Sequence, residues 1–166
     1  MGILDILAGR QAPSLGMARR DAEDLRFALL DLNRATAPFL VRDGTPEGAH
    51  LVSEWRVMEP RWHGVFARAG LGRAGQVLLR IDDEQGEVRA AARDWAVAWQ
   101  AGAPLLSPAP EGSCQEPAPG PAWREQGHPS GRTPEWRFAT RELKRPLHVV
   151  VTTSGWAWRP VPFERL

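Results

Sequence analysis

Tyrosine is absent from this chain, and cysteine and lysine each occur once. The lone Cys114 excludes an intrachain disulfide, and a single free thiol fits a reducing compartment. It also denies a zinc site the clustered cysteines such sites use. His50, His63, His128 and His148 lie far apart and show no metal-ligand spacing, so no metal is expected. Apart from Lys144 the basic residues are arginines, scattered along the chain, and the net charge is +1. That argues against a concentrated basic face, and with it against general nucleic-acid binding. Long apolar runs are missing too. Ile3, Leu4, Ile6, Leu7 and Ala8 are interrupted by Asp5, too short a run for a signal peptide or a membrane span. Together these absences give the expectation of a cytoplasmic protein.

What is present is ordinary globular composition: 166 residues, 43% hydrophobic and 25% charged. This length suits one domain. The expected organisation is a tip and linker over 1–17, then a single α+β domain over 18–166. A Pro-rich excursion at 101–135 interrupts it. Eight tryptophans stand out. Most fall at strand or helix positions beside other apolar residues and read as core. Trp123 is the exception. It sits in the excursion beside Arg124, and the pair reads as an exposed anchor.

The pattern is helical from 18 to 35, with Leu25, Leu29 and Leu32 on one stripe widened by Phe27 and Leu30. A short strand follows at APFLV. Residues 51–58 alternate: Leu51, Ser53, Trp55 and Val57 on one face, Val52, Glu54, Arg56 and Met58 on the other. Pro60 opens a short amphipathic helix over 60–70, with Trp62, Val65, Phe66 and Ala69 in register and Gly70 as its stop. Residues 75–100 read as a β-hairpin around the polar turn from Asp82 to Glu87. The prolines from Pro104 to Pro121 argue against regular structure up to 122. Trp136 to Thr140 reads as a strand. Leu143, Leu147, Val150 and Val151 fit a helical stripe, although 148–153 also has high β propensity. Trp156 and Trp158 belong to a last strand. The expected fold is an antiparallel, hairpin-rich sheet with N-terminal, middle and C-terminal helices.

No motif here carries chemistry. Gly70 to Gly75 formally spells G-x-G-x-x-G, but it follows a helix and precedes a strand, the reverse of a dinucleotide fingerprint. Asp82, Asp83, Glu84 and Glu87 lack EF-hand spacing. No serine sits in a nucleophile elbow. No catalytic residue and no cofactor are expected.

Three stretches, LVSEWRVMEPRWHGVFARAGL, LLRIDDEQGEVRAAARDWAVAWQAGAPLLS and WRFATRELKRPLHVVVTTSGWAWRPVPFERL, resemble a family of small bacterial proteins of unknown function. The resemblance spans roughly 50–106 and 136–166 and brings no activity with it. It implies a helix for 140–154 followed by a short strand. Residues 107–135 depart from the family pattern. The element order is also loosely similar to tubby- and scramblase-like β-barrels, which wrap a helix and bind lipid.

Three functional readings follow. The first is a non-enzymatic protein-interaction or assembly-accessory module, its partner another protein, using Trp123, Arg124 and the apolar tip residues Ile3, Leu4 and Leu7. Contact of that tip with a membrane surface is the lesser version. The second is a binder of a small apolar ligand or lipid, which requires a continuous cavity. The third is an enzyme with a dispersed site, in which Glu54, Arg56, His63 and Asp94 converge across strands.

Overall fold

The computed structural model describes residues 9–109, 122–128 and 131–166. Ile3, Leu4, Leu7 and Cys114 lie outside the described residues. The hairpin read from sequence is the centre of the molecule. Strands β3 (Arg73–Asp82) and β4 (Glu87–Gln100) pair antiparallel from Asp82↔Glu87 to Arg73↔Ala96. Their turn is closed by the Gln85 amide, which donates to Asp82 Oδ1 at 3.1 Å, and by Gly86 at φ +61°. β2 (Leu51–Trp55) pairs with β3, and β1 (Phe39–Asp43) pairs with β2. On its other side β4 pairs with β5 (Ala103–Pro108) at one end. At its other end it pairs, in parallel, with β8 (Ala157–Pro160). The strand order β1-β2-β3-β4-β5 does not close on itself among the described residues.

β5 corrects the expectation that prolines exclude structure before 122. The β4–β5 loop is the two residues Ala101 and Gly102, with φ of +50° and +78°, the sign a type I′ hairpin needs at both positions. Gln100 and Ala103 then close the ladder. By alternation, the backbone groups of Pro104, Leu106 and Pro108 point away from β4. A proline there loses no ladder hydrogen bond, because its missing N–H would face outward. The two prolines leave that edge with few donors for another strand.

The other edges are blunted as well. The Asn33 side chain bonds both the N–H and the C=O of Val41 on β1, each at 2.7 Å. Arg56 Nε donates to the carbonyls of Ala37 and Phe39 at 3.0 and 3.1 Å. Gln11 exchanges two backbone hydrogen bonds with Trp158 along β8.

Helices α1 (Ala22–Leu30), α2 (Pro60–Arg68) and α3 (Thr140–Thr153) feed one common core with the inner face of the sheet. α1 is shorter than the 18–35 pattern. Asp21 caps it, accepting from the Asp24 amide at 2.7 Å. Residues before the cap are held extended instead: the Arg20 amide donates to Ser154 O and its carbonyl accepts from Trp156 Nε1. Leu25 and Leu29 are buried as the stripe requires, but Phe27, expected to widen it, is exposed. The strand expected from Trp136 to Thr140 stops at Trp136. A two-stranded ribbon of β6 (Trp123–Arg124) and β7 (Glu135–Trp136) forms instead, and α3 begins at Thr140.

α3 settles the ambiguity of 148–153. Leu143, Leu147 and Val151 are buried along one stripe. Glu142 accepts the amides of Arg137 and Ala139 at 3.0 and 2.9 Å, which satisfies the helix start. At the other end the Gly155 amide donates to Thr152 O and the Trp156 amide to Val151 O, the Schellman arrangement. Burial and two satisfied ends outweigh the β propensity of a valine-threonine run. Gly75 lets the helix approach the sheet: a Cβ there would lie 2.6 Å from Thr140 Oγ1.

The tryptophans pack mostly as expected. Trp55, Trp62, Trp136, Trp156 and Trp158 are buried, while Trp95, Trp99 and Trp123 are half-buried. Trp55 meets Trp136 and Phe138 edge-on, with centroids 5.8 and 5.4 Å apart, and Phe66 meets Phe138 at 4.8 Å. These contacts hold Phe138 at φ +64°, a conformation that costs a non-glycine residue about 1–2 kcal/mol.

Candidate functional site

The outer face of the sheet, opposite the helices, carries the most organised polar cluster outside the core. Register builds it. Glu54 on β2 lies opposite Gln76 on β3, and Gln76 lies opposite Arg93 on β4. The three form one row across the sheet and bond along it. Gln76 Nε2 donates to Glu54 Oε2. Gln76 Oε1 accepts from Arg93 Nε at 2.7 Å and from Trp95 Nε1 at 3.1 Å. Arg42 on β1 joins from the next row, donating to Glu54 at 2.9 and 3.1 Å and to Glu47 at 2.5 and 3.1 Å. The Arg93 guanidinium lies between two rings, 5.1 Å from Trp95 and 5.5 Å from Phe163.

The ion pair of Arg42 and Glu47 beside this row is locked. Hydrogen bonds donated by Arg42 to Glu47, then to Glu54, push the Arg42 pKa up, and Arg42 in turn holds Glu47 below the ordinary carboxylate range. An arginine and a glutamate held this way exchange no proton near neutrality.

Beside the row lies a groove of about 290 Å³. Its polar lining includes Arg42, Glu54, Arg56, Glu59 and Gln76, two cations balanced by two anions. Its apolar rim is Trp95, Met58 and Leu106, with Met58 62% and Leu106 38% exposed. Arg56 is a structural group here. Besides its bonds to β1 it donates to Glu59 at 2.5 Å and to the Arg34 carbonyl at 3.3 Å.

The four residues expected to converge do not. Glu54 and Arg56 share the groove. His63 is on α2 beside Trp99, with centroids 6.3 Å apart. Asp94 pairs with Gly75 and so points to the opposite face from Gln76 and Arg93. Sequence reading missed Arg42, Gln76, Arg93 and Trp95. Part of the signal was present: counting back from the turn pair Asp82↔Glu87 puts Gln76 opposite Arg93.

Trp123 is not the free anchor expected. It stacks edge-on against Trp62 at 5.0 Å and is half-buried. Its ribbon is tied down by Glu125, which is 0% exposed. That carboxylate accepts from Arg34 Nε and Nη2 at 3.1 and 3.4 Å, from Thr36 Oγ1 at 3.2 Å and from Trp136 Nε1 at 3.2 Å. Arg124 does stay on the surface, 4.0 Å from Glu135.

Among the described residues no group of three or more His, Cys, Asp or Glu side chains is placed to hold a metal ion. Nor is any helix long and apolar enough to cross a membrane. By fold the chain belongs to the α+β class: among the described residues an open, mostly antiparallel sheet carries three helices on one face and a polar groove on the other. Comparison with family models, curated proteins and solved structures finds no match.

Proposed function

We propose that the protein is a non-enzymatic interaction module of the cytoplasm, and that it docks a partner protein through the outer-face groove. One observation carries this reading: the charged groups of the groove are paired with one another, while its apolar rim is left open to solvent. Paired charges give orientation and discrimination, and Met, Trp and Arg are the residues that protein interfaces favour. The balanced lining favours a partner segment that brings an apolar side chain rather than a strong net charge. The blunted sheet edges favour docking on the face over strand addition.

The test is affinity capture with three forms of the full chain. Wild type should recover a specific partner. Met58→Asp with Leu106→Asp should lose it, and Phe27→Asp, on the helical side, should keep it. Identical recovery by all three forms sinks the proposal.

The lipid-binding reading would use aromatic rings as the wall of a cavity. Most of those rings pack on each other instead, which favours the groove.

A further inference from the structure

We infer that the outer face holds a second, independent site: a binding site for a small organic phosphate, built on a row of arginines at β3, β4 and β8. Register again makes the row. Arg80 lies opposite Arg89, and Arg89 lies opposite Arg159, on neighbouring strands. Like charges placed directly across a sheet repel. Two more guanidiniums, Arg10 and Arg165, complete the group. The carboxylates that meet it are Glu87 and Asp82. Glu87, only 2% exposed, lies two residues from Arg89 on β4 and takes Arg10 Nε at 3.1 Å, Arg159 Nη1 at 3.1 Å and Arg89 Nε at 3.4 Å. Asp82 takes Arg89 Nη2 at 2.8 Å. Arg80 donates to the Gly48 carbonyl and to no carboxylate among the described residues. The Arg165 side chain, exposed, has no partner among them.

Among the described residues the five guanidiniums therefore have only two carboxylates as partners, bonded to Arg10, Arg89 and Arg159, and several of their N–H donors have none. Three of the five, Arg89, Arg159 and Arg165, line a groove of about 390 Å³ with no carboxylate in its wall. The rest of the wall is Pro160, Val161 and Pro162. Arginine forks match phosphate oxygens. The proline and valine wall supplies an apolar surface for the organic part of the ligand. The size of the groove suits a small molecule.

The experiment is calorimetric titration of the full chain with inorganic phosphate, pyrophosphate and phenyl phosphate at constant ionic strength. Saturable one-to-one binding is expected, with phenyl phosphate tighter than inorganic phosphate. Each of Arg159→Gln and Arg165→Gln should weaken binding by about tenfold, the loss of one charge-assisted hydrogen bond. Arg68→Gln, on α2, should leave it unchanged. If Arg159→Gln fails to fold, Arg165→Gln carries the test, because its side chain holds nothing else in place. No saturable heat, or equal affinity in Arg165→Gln and wild type, overturns the site. Phenyl phosphate binding no tighter than inorganic phosphate overturns the assignment of an organic ligand. None of these variants touches the Met58 and Leu106 rim, so this site and the docking groove fail separately.

Discussion

Glu125 is carried into the interior as a carboxylate because four donors meet it there: two from Arg34, one from Thr36 and one from Trp136. A buried acid costs much when unpaired and little when fully bonded. The Arg34 carbonyl in turn accepts from Arg56, so the latch runs on to Glu59. Glu125→Ala should therefore cost about 3 kcal/mol, because it strands Arg34 and the Trp136 N–H together. Thr36→Ala removes one donor and should cost about 1 kcal/mol. Urea unfolding measures both, and equal effects would show that the latch does not act as a unit. In the sequence, Glu125 reads as one more polar residue of the Pro-rich stretch. Nothing local marks it, because its partners lie 11 to 91 positions away. Trp123 was misread for the same reason. Its partner Trp62 sits on a helix far back in the chain.

Two loop positions show opposite uses of positive φ at the scale of elements. Gly155, at φ +80°, closes α3, and a Cβ there would lie 2.5 Å from Ala18 O and 2.6 Å from the Arg19 Cα. Gly155→Ala should destabilise by about 2 kcal/mol or more, since both strain and backbone crowding oppose it. Ala101, at φ +50°, occupies a type I′ position with an alanine where asparagine is preferred. Ala101→Asn should stabilise by about 0.5–1 kcal/mol. Thermal unfolding should move in opposite directions for the two, and a shared direction would overturn the argument. The middle helix with its stop at Gly70 and the central hairpin were both legible, because each is signalled within a few residues. β5 was not. Whether Pro104 and Pro108 break a strand depends on which way their absent N–H groups would point, and that is set by pairing with β4.

Partial desolvation of two histidine rings makes the stability of the whole molecule pH-dependent. Desolvation lowers the pKa of His148, whose ring packs edge-on against Trp158 at 5.7 Å. Desolvation, then the charges of Arg80 and Arg26, lowers that of His50, whose Nδ1 accepts the Ile81 amide at 3.0 Å. A lowered histidine pKa means that the unfolded chain takes up the proton first as pH falls. Stability should therefore be full above the ordinary histidine pKa of 6.5 and decline below it. Urea midpoints measured from about pH 7.5 to about pH 5.5 should fall, and His50→Gln with His148→Gln should flatten the decline. A separate loss is expected at lower pH. There Asp43, lowered by its bonds from Thr45 and then Arg26, and Glu47, lowered by Arg42, become protonated. Unchanged midpoints across the histidine range would contradict the first part.

The sequence by itself determined the α+β class, the central hairpin and its turn, and the approximate places of the N-terminal and middle helices. It also determined that most tryptophans serve the core. These features rest on periodicity, turn chemistry and burial, which act over short spans of chain. Beyond the hairpin itself, the tertiary structure decided which polar residues meet. Glu54, Gln76 and Arg93 become one row, and Arg80, Arg89 and Arg159 another, only when strands pair in a particular register. Asp94, one residue from Arg93, is sent to the opposite face by the same rule. Alternation along a strand is local, but the neighbours that give a side chain its charge environment come from other strands, and only the folded sheet brings them together.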